Sequence, residues 1–133
     1  MAATQRMYRV VWVAALGLAA LAAAPAFKHT RLERSEPAAD STVTVAPRAI
    51  KLWFSEPVQL SVTTVRITGV PGATITLSPA RMDTLPHAPV ILDVHGVWVP
   101  GRYTAAWRTM SRDGHPVSGT FAFTFAAPAP PTR

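Results

Sequence analysis

The stretch GRYTAAWRTMSRDGHPVSGTFAFTF, Gly101 to Phe125, decides the fold. Its first part alternates Tyr103, Ala105 and Trp107 with neighbours of another kind, and its last part alternates Phe121, Phe123 and Phe125 against small or polar residues. A period of two means that one face of each run is buried and the other solvated. Between the runs stands Asp113-Gly114, which is turn chemistry. The stretch therefore reads as two long strands joined by a short loop. That loop carries two side chains able to ligate a metal, Asp113 and His115, with Gly114 free to turn between them and Pro116 limiting the backbone just after.

The same period runs upstream. IKLWF places Ile50, Leu52 and Phe54 on one face, and TTVRITGV does so with Val65 and Ile67. GATITL and PVILDV are short strand-like runs. Proline and glycine punctuate them at Ser55-Glu56-Pro57, Val70-Pro71-Gly72, Ser78-Pro79 and Val99-Pro100-Gly101. No stretch after residue 40 carries a helical stripe. About seven strands in about 90 residues predict an all-β fold, a small Greek-key sandwich or barrel. Trp53, Trp98 and Trp107 are expected to pack, Met82 and Met110 to fill gaps, and His87 and His95 to lie in exposed loops. The proline-rich tail, 127–133, is expected to be disordered.

The chain has 133 residues, 49% of them hydrophobic, which is one domain with ample core. Cysteine is absent, so disulfides and thiolate metal sites are excluded. The net charge of +6 is spread along the chain without a basic block longer than two. A basic balance favours anionic partners, but no nucleic-acid motif and no basic helix is present. Residues 1–26 read as an export signal: Arg6 and Arg9, then an apolar run from Val10 to Ala24, then Ala24 and Ala26 as small residues before a cut. Only 18 uncharged residues separate Arg9 from Lys28, a marginal length for an uncleaved membrane anchor. Either outcome places the folded part, 27–126, outside the cytoplasm, in the periplasm of a cell with two membranes. Membrane contact is expected only if the signal stays attached.

A site of imidazole nitrogen and carboxylate oxygen without sulfur suits Cu(II), Ni(II) or Zn(II) better than Cu(I). Asp-x-His alone is a weak signal, because Asp and Gly favour turns for their own reasons. Three longer blocks add to it: HTRLERSEPAADSTV from His29, IKLWFSEPV from Ile50, and the opening stretch. Together they resemble the signature blocks of CopC-type copper resistance proteins. The resemblance implies a periplasmic carrier, not an enzyme, that binds one Cu(II) at one end of an immunoglobulin-like or cupredoxin-like β-sandwich. It implies His29, Asp113 and His115 as ligands, with an N-terminal amine, and Glu56 of the FSE block near the metal. It also implies a membrane copper transporter of the CopD type as a partner.

Two departures matter. Only Met82 and Met110 fall in the mature domain, far apart in sequence, so a methionine-rich Cu(I) site is not expected. A cut after Ala26 leaves Phe27 first and His29 third, so the family's chelate of one residue's amine and imidazole cannot form as such. The Phe27 amine, the amides of Lys28 and His29 and the His29 imidazole then offer four nitrogens in a square plane, which Cu(II) favours. Two other readings compete: a metal-free immunoglobulin-like interaction module that has lost its site, and a histidine-brace copper mono-oxygenase. Asp113 in a coordination position argues against the second, and His29, Asp113 and His115 together argue against the first.

Overall fold

The computed structural model describes residues 29–128. The expected export signal, Phe27 and most of the proline-rich tail lie outside the described residues. Nine strands follow in order: β1 (Leu32–Glu36), β2 (Thr42–Val43), β3 (Ala49–Phe54), β4 (Thr64–Thr68), β5 (Thr74–Leu77), β6 (Arg81–Met82), β7 (Val90–Val97), β8 (Gly101–Met110) and β9 (Pro116–Phe125). One short 3-10 turn, Leu60–Val62, precedes β4. The strands form two sheets. One has the order β1-β3-β7-β5, with β6 on the same edge of β7 as β5, and the other has the order β2-β9-β8-β4. The chain passes back and forth between the sheets, as the Greek-key reading expects.

The opening stretch is the spine of the second sheet. β8 and β9 pair antiparallel over ten positions, from Gly101 opposite Phe125 to Met110 opposite Pro116. The alternation does what it predicts: Tyr103, Ala105, Trp107, Phe121, Phe123 and Phe125 are all buried. They meet Ile50 and Leu52 of β3 and Val90 and Leu92 of β7 across the sandwich. Fully burying one such aliphatic or aromatic side chain is worth roughly 1.5–3 kcal/mol, so this layer is the main stabilising term. Trp107 meets Phe54 edge-on at 5.3 Å, and Trp98 meets Tyr103 edge-on at 4.7 Å. The buried Tyr103 hydroxyl donates to the Val99 carbonyl at 2.6 Å and accepts from the Val99 N–H at 3.0 Å, so its polar end is satisfied.

Some placements differ from the sequence reading. β1 is a strand that the alternation does not announce. Its sequence LERSE buries only Ser35, because the pairing with β3 slips between Leu32 and Arg34 and breaks the period. His95 lies within β7, opposite Thr76, not in a loop. Trp53 faces outward, where the Arg34 guanidinium sits 3.7 Å from its ring centroid.

Candidate metal centre

The β8–β9 loop starts where Ser111 leaves the sheet. Ser111 is nearly fully buried and organises the four residues after it. Its N–H donates to the His115 carbonyl at 3.0 Å, and its carbonyl accepts from the Gly114 N–H at 3.0 Å. Its hydroxyl accepts from the His115 N–H at 3.2 Å and bonds the Asp113 carboxylate through Oδ1. The same hydroxyl lies 3.1 Å from the His115 carbonyl. A hydroxyl has one proton, and the bond to a carboxylate is the stronger use of it. Gly114 takes φ +87, which a residue with a Cβ adopts only under strain.

This frame brings Asp113 and His115 together. His115 Nδ1 lies 2.8 Å from Asp113 Oδ2, and both side chains are largely exposed. Ser111 first, then His115, hold the Asp113 carboxyl below its ordinary 3.8, to about 2, because both favour the charged form. With a proton on Nδ1 toward the carboxylate, the imidazole turns its Nε2 lone pair to solvent. A carboxylate fixing the tautomer and ring of a metal-ligating histidine works in this way.

Two more segments reach this end of the sandwich. Arg31 N–H donates to Ser55 Oγ at 3.0 Å, Ser55 N–H donates to the Arg31 carbonyl at 2.9 Å, and Thr30 Oγ1 lies 3.5 Å from Glu56 Oε2. The residue after His29 therefore sits against Glu56. On the far side of Pro57, Val58 bridges to Ser111, Gln59 N–H donates to the Met110 carbonyl at 2.9 Å, and Gln59 Nε2 donates to the Ser111 carbonyl at 3.0 Å. The FSE segment is thus a tie between the N-terminal segment and the Asp-Gly-His loop.

Asp113 and His115 are brought together, and His29 is not assembled with them as a three-ligand group. Among the described residues no three His, Asp or Glu side chains form a cluster able to hold a metal. Glu56 lies against Thr30 and forms no three-ligand group with Asp113 and His115. His95 lies on β7, and His87 lines a cavity together with Met82 and with Glu56, Pro57 and Val58 of the FSE segment. Sequence reasoning missed Ser111 and Gln59 as organisers. The Ser-x-Asp spacing was a usable signal for Ser111, since a serine two residues before an aspartate can bond its carboxylate. Gln59 had no local signal, because its partner is 52 residues away.

Comparison with known proteins adds four findings. Residues 32–126 match the model of the CopC domain family. Protein YobA of Escherichia coli K12 is 33% identical over 92% of this chain and 98% of its own length. Copper resistance protein C of Xanthomonas campestris is 34% identical over 79% of this chain and 86% of its own. The crystal structure of CopC from Methylosinus trichosporium superposes with a TM-score of 0.65 at 25% identity, covering 78% of this chain and 100% of the other.

Proposed function

The chain belongs to the CopC domain family, and from that premise we propose that it is a periplasmic copper-binding protein serving copper resistance or transport, with copper as its cargo. One observation carries the assignment to a site: an exposed histidine whose Nδ1 is held by Asp113 and whose Nε2 is left free, on a loop tied to the N-terminal segment. The donors fit the cargo. Imidazole and carboxylate without sulfur suit Cu(II), and the affinity order of divalent first-row metals peaks at copper. His115 and Asp113 supply the loop's donors, and His29 completes the set when the N-terminal segment closes over it. Glu56 positions that segment through Thr30. If export trims the chain to Phe27, its amine joins the set.

The site binds one ion, acts as a carrier and not as a catalyst, and passes copper to a membrane copper transporter. Calorimetric titration with Cu(II), with electron paramagnetic resonance on the loaded protein, tests this. One equivalent bound with nitrogen hyperfine structure, abolished in His115→Ala and weakened in His29→Ala, supports the reading. Unchanged binding in both variants refutes it. Intact mass of the exported protein settles which residue comes first.

A further inference from the structure

The two outer faces of the sandwich carry charge differently. On the outer face of the first sheet every cation has an anion. Arg34 and Lys51 bond Glu36 at 3.0 and 3.2 Å, and Arg81 bonds Asp93 at 3.0 Å and lies 3.9 Å from Asp83. Three cations and three anions sum to zero.

The second sheet differs. Register gives its outward rows across β4, β8 and β9: Thr64-Arg108-Ser118, Arg66-Ala106-Thr120 and Thr68-Thr104-Ala122, with Arg102 beside Thr124 at the far end. Arg102 pairs with Asp40 at 3.2 Å. Arg66 and Arg108 are exposed and form no ion pair among the described residues. They are diagonal neighbours on adjacent strands, about 7–8 Å apart at Cα, and with Thr64, Val65 and Ala106 they line a shallow concavity of about 410 Å3. No aromatic or large aliphatic side chain lies within these rows. Met110, Pro116 and Val62 form a small apolar fringe at the end nearest the Asp-Gly-His loop.

We propose that this face rests on an anionic phospholipid surface, with Arg66 and Arg108 on headgroup phosphates and the threonine and serine hydroxyls beside them. The composition favours lipid over a protein partner. A stable protein interface needs a buried aromatic or aliphatic anchor at its centre, and here the centre is arginine, threonine and alanine. Adsorption to an anionic bilayer needs no such anchor: each basic side chain near the surface adds its own increment of attraction, so two unpaired arginines give a weak, salt-sensitive contact. It would lay the sandwich flat, with the Asp-Gly-His loop at one end pointing along the bilayer plane. The inference goes beyond the copper reading and does not depend on it.

The test is co-sedimentation of the copper-free full chain with vesicles of phosphatidylcholine, with and without about one third phosphatidylglycerol. Binding to the anionic vesicles alone, lost at high salt, is expected. An apolar leader would insert into neutral vesicles too, so the neutral control separates that case. Arg66→Glu with Arg108→Glu should weaken partitioning about tenfold or more, while Lys51→Glu with Arg81→Glu, the same change in charge on the other face, should not. Circular dichroism and Cu(II) titration of each variant check that fold and metal site persist. No anionic-vesicle binding, equal loss from both pairs, or capture by an immobilised acidic polypeptide but not by vesicles would each overturn the proposal.

Discussion

A single hydroxyl sets the chemistry of the loop. Ser111 bonds the Asp113 carboxylate and the His115 backbone, so its removal acts on both candidate donors. Asp113 is depressed to about 2, so its contribution to folding is present above the ordinary value of 3.8 and is lost as pH falls toward 2. In Ser111→Ala the Asp113 midpoint should rise toward 3.8, and a carbon-detected NMR titration of the carboxyl would show it. A midpoint unmoved by the substitution would mean that His115 alone holds the charge. Gly119 is a second residue-scale constraint. A Cβ there would stand 2.7 Å from Trp107 Cζ2, a ring atom packed in the core. Gly119→Ala should cost about 1–3 kcal/mol in urea unfolding, the usual range for overpacking.

At the scale of elements, the segment from Ser55 to Gln59 couples β1 to the β8–β9 loop. Gln59→Ala removes one side-chain bond and should cost about 0.5–1.5 kcal/mol in urea unfolding, with faster amide exchange at Gly114 and His115. If exchange there stays at the parent's rate, the tie does not govern the loop. Elements were also where sequence and structure parted. The β8–β9 pair was legible because Tyr103, Ala105, Trp107 and the three phenylalanines alternate without a break. β1 was not, because a register slip at Glu33 puts two polar side chains outside in succession. The proximity of Asp113 and His115 could be read from their spacing and the turn between them. The meeting of Thr30 with Glu56, and of Gln59 with Ser111, could not, since each depends on which strands become neighbours across the fold.

For the whole molecule, copper should act as a folding ligand. A cargo that binds only the native state stabilises it by about 2.7 kcal/mol at a free concentration of one hundred times Kd. Thermal unfolding of the parent should therefore shift upward with added Cu(II), and that of His115→Ala should not. An equal shift in both would put the metal elsewhere. The closing of the sheets has a further consequence. β2 lies parallel to β9, and β9 supplies Phe121, Phe123 and Phe125 to the core. Nothing upstream can substitute for those three rings, so the chain cannot complete its core until Phe125 has been delivered. A chain that stops short of Phe121 lacks one wall of its core, so closure of the sandwich waits on the last strand.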